Sequence, residues 1–203
     1  MSLKRERGDH GIEVLRIDRP SKRNALDSLT LHELISTLDE LTADPLLRVV
    51  ILSTTSVDAF CAGADVTESL GAEAGIARME AFAELYRRIE HLPVPTVAVC
   101  VGNCVGAGAE IVAGCDLRVA GGNLKLAWAG ARLGVPVGPA RLTQLVGLSR
   151  AKELIYTGRA IDAAEAASAG LVHRVVPADQ AESVAREMAG HLAGPSPEGP
   201  RYQ

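Results

Sequence analysis

Aromatic residues make up only 3% of this 203-residue chain, and no continuous apolar run reaches 18 residues. The core must therefore be built from Ala, Val, Leu and Ile, and no stretch is long enough to be predicted as a membrane-spanning helix. The segment Lys4–Asp9 is too charged for a secretory signal. We therefore expect a cytoplasmic protein.

Signals for nucleic-acid, membrane or metal binding are also missing. The net charge is −4, which gives no reason to expect a nucleic-acid or membrane partner. The four cysteines form no Cys-x-x-Cys pair and lie in apolar segments, as buried reduced thiols do. The five histidines are scattered without the spacing of metal ligands, so we predict no metal site.

The chain does have enough apolar sequence for one sizeable core, since 47% of it is hydrophobic and 23% is charged. Apolar runs rich in β-branched residues predict strands at Ile12–Ile17, Val49–Leu52, Thr96–Val101, Leu117–Ala120, Leu124–Trp128 and Leu171–Val176. A turn of small residues is predicted at Ala59–Asp65, and a loop rich in Gly and Pro at Gly130–Pro139.

Apolar residues at helical spacing recur between these strands. Helices are predicted to begin at Asp27 or Ser28, to cover Ile76–His91, Ala107–Ala113, Ala140–Val146 and Arg150–Tyr156, and to begin again at Ile161 and at Pro177. Strands that alternate with helices indicate an α/β architecture with a largely parallel sheet. We predict one domain, with its core over residues 1–176 and a C-terminal helix with a loose tail over 177–203.

The most informative stretch joins a buried strand to a buried acid. After the strand Thr96–Val101 the chain becomes small, Gly106-Ala107-Gly108-Ala109, and Glu110 follows at once. Small residues let a ligand approach the backbone closely, and a helix N-terminus favours negative charge. A carboxylate among apolar neighbours is costly to bury without a role or a partner. The pattern predicts an anion-stabilising site with an acid/base beside it.

Several motifs occur in a fixed order along the chain. They are Arg19-Pro20, Asn24-Ala25-Leu26, Phe60–Asp65, Gly106–Glu110, Cys115-Asp116, Leu133-Gly134, Ala151–Leu154, Thr157-Gly158, Ala163–Ala166 and Gly170–Val172. Together they resemble the crotonase (enoyl-CoA hydratase/isomerase) superfamily over about Ile12–Ala189. The resemblance implies a crotonase-like spiral of repeated ββα units with a short C-terminal helical segment. It also implies an acyl-CoA thioester substrate, coenzyme A only as part of that substrate rather than as a bound cofactor, and a homotrimer or hexamer.

The resemblance assigns roles to individual residues. The N–H groups of Ala64 and Ala107 would hold the thioester oxygen as it becomes an enolate, and Glu110 would be the acid/base. Lys22 and Arg23 would contact the phosphates or adenine of coenzyme A. The remaining expected substrate-binding positions are Ala25, Ala62, Asp65, Val66, Thr67, Gly106, Trp128 and Gly130. Of these, Asp65, Val66 and Thr67 would line the acyl or pantetheine channel, and Trp128 would pack near the pocket.

Three departures from the family pattern leave the reaction open. Gly130 occupies the position of the second catalytic glutamate of the hydratases, and there is no Asp or Glu between Asp116 and Glu153. The loop Gly134–Arg141 is a few residues shorter than the pattern, and the sequence ends before the C-terminal helices of the family. The first hypothesis is an acyl-CoA enzyme that uses Glu110. The alternatives are decarboxylation, thioester hydrolysis, or a catalytically degenerate acyl-CoA-binding or accessory protein.

Each candidate also has a structural interpretation. Glu110 could bond to a helix end or to an arginine such as Arg132, and Asp65 could accept backbone amides in its own turn. Asp116 is expected to be a cap or turn residue. Cys61 and Cys104 lie near the site without an adjacent histidine base, so neither is expected to be a nucleophile. Either Arg132 or Arg141 could face a carboxylated substrate.

Overall fold

The computed structural model describes residues 2–130 and 140–194. The predicted loop after Gly130, with Arg132 and Leu133-Gly134, and the predicted loose tail from Pro195 onward lie outside the described residues.

Nine strands lie within the described ranges, numbered along the chain. They are β1 (Leu3–Arg7), β2 (Ile12–Ile17), β3 (Val49–Thr54), β4 (Ala59–Cys61), β5 (Thr96–Cys100), β6 (Asn103–Val105), β7 (Leu117–Gly121), β8 (Lys125–Ala127) and β9 (Arg174–Val176). A six-stranded sheet has the order β1-β2-β3-β5-β7-β9, and a three-stranded sheet has the order β4-β6-β8. All neighbouring strands are parallel except β1 and β2. The predictions of an α/β fold and a largely parallel sheet are therefore confirmed.

Seven α-helices lie within the same ranges. They are α1 (Ser28–Thr42), α2 (Ala72–Glu90), α3 (Ala107–Gly114), α4 (Ala140–Val146), α5 (Leu148–Thr157), α6 (Ala163–Ser168) and α7 (Ala181–Ala193). The carboxylate of Asp27 caps α1 by accepting from the N–H of Thr30, and that of Asp162 caps α6 through the N–H of Glu165. Such side-chain oxygens satisfy N–H groups that have no partner inside the helix.

The chain winds as a repeated ββα spiral. Each turn contributes one strand to the large sheet, one to the small sheet and then a helix, as in β3-β4-α2 and β5-β6-α3. Successive turns pair strand on strand in both sheets, so Cys61 of β4 lies opposite Cys104 of β6. This stacking brings the segments that follow β4 and β6 together, although about 40 residues separate them along the chain.

The core has two parts, one on each face of the large sheet. One part is a large cluster of Leu, Ile and Ala residues that includes the only tryptophan and both phenylalanines. In the other part, α7 packs on β3, β5 and β7 through fully buried alanines spaced one helical turn apart, Ala181, Ala185 and Ala189. Small side chains on this stripe let the helix axis approach the valines of the sheet closely.

Some predicted boundaries are wrong. Ala59–Cys61, predicted as part of a turn, forms β4, and Asn103–Val105, which follows a predicted break in the chain, forms β6. The last strand covers Arg174–Val176 rather than Leu171–Val176. Pro177 precedes a short 3₁₀ turn instead of lying in the first turn of α7. β1 was not predicted because its sequence, Leu-Lys-Arg-Glu-Arg, places only Leu3 in the core.

Candidate active site

Two glycine-containing turns come into contact at the end of the small sheet. The first follows β4 and contains Gly63, and the second follows β6 and contains Gly106 and Gly108. A Cβ at Gly63 would lie 3.1 Å from the carbonyl oxygen of Val105, and one at Gly108 would lie 2.3 Å from that of Cys61. The approach therefore requires glycine. Gly63 and Gly106 also have φ values of 104° and 56°, which other residues rarely adopt.

The N–H groups of Ala64 and Ala107 lie in these two turns. Ala107 is the first residue of α3, so its N–H is directed out of the helix end. Around Ala64 the backbone is tied to Leu26, which donates to Gly63 at 2.8 Å and accepts from Asp65 at 2.8 Å. In residues 2–130 and 140–194, no turn, loop or side-chain hydrogen bond uses the N–H of Ala64 or of Ala107. Neither group has an acceptor among the residues that the structure describes.

Glu110 lies in the first turn of α3 and is 7% exposed. Its N–H donates to the carbonyl of Gly106 at 3.0 Å, and its Oε2 accepts from Nη1 of Arg141 at 2.7 Å. Burial raises the pKa of the Glu110 carboxyl above its usual value, although the charge and hydrogen bond of Arg141 oppose the rise. The partner of Glu110 is thus an arginine on α4. Arg132, the partner suggested by the sequence, lies outside the described residues.

Arg141 contacts three further groups besides Glu110. Its Nε donates to the carboxylate of Glu90, the last residue of α2. Its Cζ lies 5.3 Å from the ring centroid of Tyr86, one turn earlier on the same helix, which is a cation–π geometry. A Cβ at Gly114 would lie 3.7 Å from its Cδ, so this glycine leaves room for the arginine. Glu90 and Tyr86 were not predicted as site residues. The one sequence feature that connects them is their spacing of one helical turn on α2, which places them on the same helix face.

Trp128 and Gly130 lie on the segment after β8. Trp128 is 1% exposed, and its indole Nε1 is buried without a hydrogen-bond partner among the residues described. Trp128 makes a smaller contribution than Arg141 to lowering the pKa of Glu110, which burial raises. Gly130 is buried and has no side chain.

The predicted coenzyme A contacts lie next to the first turn. Lys22 and Arg23 are exposed, and neither forms an ion pair with another described residue. The carbonyl of Arg23 accepts from the N–H of Ala62 at 3.1 Å, and Ala25 donates to the carbonyl of Lys22 at 3.0 Å. The basic turn and the segment leading to Ala64 are therefore held together by main-chain bonds.

The other acidic and polar candidates differ in their environments. Asp65 is buried, and its carboxylate accepts from the N–H and hydroxyl of Thr67 at 3.0 and 2.7 Å and from Arg19. These donors lower the pKa of Asp65. Val66 is 78% exposed and Thr67 is also exposed. Asp116 accepts from the N–H and hydroxyl of Thr96 at 2.7 Å, as expected of a turn residue.

All four cysteines are buried and free. Burial raises the pKa of Cys61 and of Cys115 to about 12, so neither thiol is activated. Within the part of the chain that the structure describes, no three His, Cys, Asp or Glu side chains are grouped to hold a metal ion. None of the helices in residues 2–130 and 140–194 is long and apolar enough to cross a membrane.

Two stacked sheets wound as a ββα spiral, with paired glycine turns beside a buried acid, define a protein of the crotonase class. The model of the enoyl-CoA hydratase/isomerase family matches residues 7–201. The chain belongs to the enoyl-CoA hydratase/isomerase family.

Named relatives agree with this assignment. A probable enoyl-CoA hydratase of Mycobacterium bovis is 35% identical over 184 residues, which is 89% of this chain and 71% of that protein. A probable mitochondrial enoyl-CoA hydratase of Arabidopsis thaliana is 36% identical over 91% of this chain, which spans 63% of that relative. The crystal structure of the enoyl-CoA hydratase of Bacillus anthracis matches with a TM-score of 0.90 and 32% identity, covering 97% of this chain and 78% of that chain.

Proposed function

We propose that the protein acts on acyl-CoA thioesters by stabilising a thioester enolate. The N–H groups of Ala64 and Ala107 would donate to the thioester oxygen, and Glu110 would transfer the proton of the α-carbon. The observation that supports this proposal is the contact between the two glycine turns, at one end of the small sheet beside a buried carboxyl. The N–H groups of Ala64 and Ala107 in these turns have no acceptor among the described residues.

The proposed step is a proton transfer between carbon and oxygen. The Glu110 carboxylate takes the α-proton, the electrons of the C–H bond form the C=C bond of the enolate, and the carbonyl π electrons move to the thioester oxygen. The two N–H groups stabilise that oxyanion, with each donor contributing about 3 kcal/mol. The protonated Glu110 then returns the proton to carbon. Ala107 adds the positive end of the α3 dipole to its hydrogen bond.

The environment of Glu110 suits this role. A general base transfers protons most effectively when its pKa is brought toward the working pH, and burial raises the pKa of Glu110 in that direction. The charge and hydrogen bond of Arg141 oppose that rise and favour the ionised form, which is the form that accepts a proton.

Hydration needs more than this step. Adding water across an enoyl thioester ordinarily uses a second acid/base to orient the water, and Gly130 has no side chain to do so. We therefore propose α-proton transfer as the common step and leave open which crotonase reaction follows: hydration, isomerisation, decarboxylation or thioester hydrolysis.

Substrate binding and assembly complete the proposal. The exposed cations Lys22 and Arg23 would contact the phosphates or adenine of coenzyme A, because the basic turn is bonded to the segment that carries Ala64. Asp65, Val66, Thr67 and Trp128 would line the path of the acyl group. We further propose a homotrimer or hexamer in the cytoplasm, without a permanently bound cofactor.

A second candidate function is acyl-CoA binding without turnover. The ion pair between Glu110 and Arg141, together with the missing second carboxylate, favours it. An arginine that kept Glu110 fully paired would leave the two N–H groups able to bind a thioester but no base able to reach the α-carbon.

The deciding experiment is α-proton exchange. The protein is incubated in heavy water with a saturated short-chain acyl-CoA, and deuterium entering the α-carbon is followed by mass spectrometry. We expect exchange above background, and we expect Glu110→Gln to lower its rate by roughly a hundredfold or more while acyl-CoA binding is kept. A matched control is Glu187→Gln, which removes a carboxylate from α7 on the far side of the large sheet.

Each outcome separates the candidates. Exchange that is lost in Glu110→Gln and kept in Glu187→Gln supports the enolate mechanism. Binding without exchange in the wild-type protein overturns the enolate mechanism in favour of the binding protein. If neither exchange nor binding is found, both candidates are overturned.

A further inference from the structure

Arg141 is held from more than one side. Its Nε donates to Glu90 and its Nη1 donates to Glu110 at 2.7 Å, while its guanidinium lies over the ring of Tyr86. Glu90 and Tyr86 come from α2, Glu110 from α3 and Arg141 from α4. Three helices therefore fix one planar cation. A guanidinium holds a carboxylate in a defined plane because its N–H groups form a rigid fork.

The contact with Arg141 gives the two carboxylate oxygens of Glu110 different environments. Oε2 accepts from Arg141, whereas Oε1 has no hydrogen-bond partner among the described residues. The side chain of Glu110 is 9% exposed. The carboxyl thus has one oxygen anchored by Arg141 and one that no other described residue bonds.

We propose that Arg141 is a positioning residue for Glu110: held by Glu90 and Tyr86, it anchors Oε2 and leaves Oε1 as the oxygen that exchanges a proton with the substrate. The kinetic part of this inference rests on the proposed function, since it names the proton-accepting atom of that mechanism. The anchoring itself is independent of any activity.

The charges around Glu110 make the proposal testable. The elements packed against α3 carry these titratable and charged groups: Glu73, Arg78, Glu80, Glu84, Tyr86, Arg87, Arg88 and Glu90 of α2, Cys61 of β4, Cys100 of β5, Cys104 of β6 and Arg141 of α4. Arg118 of β7 also donates to the carbonyl of Val112 on α3. Of these groups, Arg141 is the cation that donates to Glu110 and lowers its pKa, whereas Glu90 raises it. Removing one charge or the other should therefore move the titration of Glu110 in opposite directions.

Two substitutions test the opposite effects of Arg141 and Glu90 on the pKa of Glu110. In Arg141→Gln the cation is lost, so the pKa of Glu110 rises and the rising limb of the rate–pH profile moves to higher pH. In Glu90→Gln the amide oxygen can still accept from Arg141, but the negative charge is gone, so the pKa of Glu110 falls and the limb moves to lower pH. If Arg141 had a merely structural role, the rising limbs of the rate–pH profiles of the two variants would not move in opposite directions.

The first measurement is the pH dependence of kcat and KM for α-proton exchange. For Arg141→Gln we expect kcat to fall roughly tenfold to a hundredfold with little change in KM, because a misplaced base loses alignment while thioester binding is kept. Arg141→Lys should restore part of kcat and return the limb toward its wild-type position, since it keeps the charge but not the fork. The control is Arg159→Gln, which removes an arginine from a glutamate pair at α5 and α6. Its profile should match that of the wild-type protein.

The second measurement needs no activity. Protein labelled with ¹³C at the glutamate side-chain carboxyl is titrated by NMR, and Glu110→Gln identifies the resonance of Glu110. The titration midpoint should rise in Arg141→Gln and fall in Glu90→Gln. Midpoints that stay in place, or that move in the same direction, would overturn the inference. Circular dichroism on each variant verifies that the fold is intact.

The two measurements separate this inference from the proposed function. If the wild-type protein shows no exchange but the Glu110 midpoints move apart, the positioning role stands and the enolate mechanism fails. If exchange depends on Glu110 but the midpoints and limbs do not move in the Arg141 and Glu90 variants, the mechanism stands and the positioning role fails.

Discussion

Glu110, which is buried, and Glu182, which is partly buried, are each paired with an arginine, but their pKa values are shifted in opposite directions. Glu182 of α7 accepts from Nε of Arg16 at 2.8 Å and from its Nη2 at 2.5 Å, and it also accepts from Ser53 at 2.7 Å and from Arg186 at 3.2 Å. Burial raises the pKa of Glu182, but the hydrogen bonds of Arg16 and Ser53 overcome it and bring the pKa to about 2. This carboxylate stays ionised and connects α7 to the sheet.

Among the residues that the structure describes, one arginine N–H donates to the Glu110 carboxylate, whereas Glu182 has several donors. Burial is the larger influence on its pKa, which is therefore raised. The number of donors that reach a carboxylate, weighed against its loss of water, decides whether the group is fixed as an anion or is able to exchange a proton. By this criterion Glu182 is structural, whereas the raised pKa of Glu110 supports its proposed role as a base.

The largest expected effect comes from removing the arginine at Glu110. Arg141→Met leaves a buried carboxylate without its cation, and we expect the free energy of unfolding to fall by about 2 to 3 kcal/mol near pH 8, below the value for a fully buried pair because Arg141 is partly exposed. A group with a raised folded-state pKa stabilises the fold below its unfolded-state pKa, and this stability is lost as the pH rises through the folded-state pKa. The deficit should therefore shrink toward about pH 4, as measured by urea denaturation at several pH values.

The double variant Glu110→Gln with Arg141→Met provides the control. Removing both charges should recover more than half of the loss, because no buried charge remains unpaired. If the double variant is as unstable as Arg141→Met alone, the loss comes from packing of the arginine stem against Tyr86 and Gly114 instead.

The sequence was informative about Glu110 itself but not about its partner. The passage from an apolar strand through small residues to an acid predicts both the buried helix and the buried carboxyl, because each signal is local. The pairing with Arg141 requires α2, α3 and α4 to converge, and no local pattern records that convergence. The same holds for Glu182 and Arg16, which are separated by 166 residues.

The short strands β4 and β6 were also not predicted from the sequence. β4 and β6 contain three residues each, so neither is long enough for an alternating pattern to be recognised. Both are held by pairing between successive turns of the spiral, which is a long-range effect. The turns beside them were nevertheless predicted, because glycine and alanine mark a close backbone approach wherever the strands end.

A smaller loss of unfolding free energy is expected when the ion pair between Glu182 and Arg16 is removed. Glu182→Gln should lower the free energy of unfolding by about 1 kcal/mol near pH 7, after allowance for solvent screening of this partly exposed side chain. A carboxyl with a lowered folded-state pKa stabilises the fold above its unfolded-state pKa, and that stability is lost as the pH falls toward about 2. The difference from the wild-type protein should therefore disappear as the pH falls from the ordinary glutamate pKa toward about 2, which is more acidic than the range in which the deficit of Arg141→Met shrinks. A deficit that grew in acid would contradict this comparison of the two glutamates.

One donor of Glu182 can be removed by itself. Ser53→Ala deletes a buried hydroxyl that donates to Glu182 but leaves the arginine fork in place. We expect a loss of about 0.5 to 1 kcal/mol by urea denaturation, as for one hydrogen bond of several. Ser168→Ala, at an exposed serine that donates to a helix carbonyl, should change stability by less than about 0.5 kcal/mol. Equal losses at both serines would mean that the hydrogen bond from Ser53 to Glu182 contributes no more to stability than the exposed hydrogen bond of Ser168.

The smallest expected effect is the change that salt makes in the coupling energies of the two arginine–glutamate pairs. Double-mutant cycles give the coupling energies of Arg16 with Glu182 and of Arg141 with Glu110, at about 0.1 M and about 1 M sodium chloride, where the screening length falls from about 10 to about 3 Å. The side chain of Glu182 is 26% exposed and that of Glu110 is 9% exposed. We therefore expect salt to weaken the Glu182 coupling by a few tenths of a kcal/mol and the Glu110 coupling by less. If salt weakens the Glu110 coupling as much, water reaches that carboxyl as readily as it reaches Glu182, and burial would no longer account for its raised pKa.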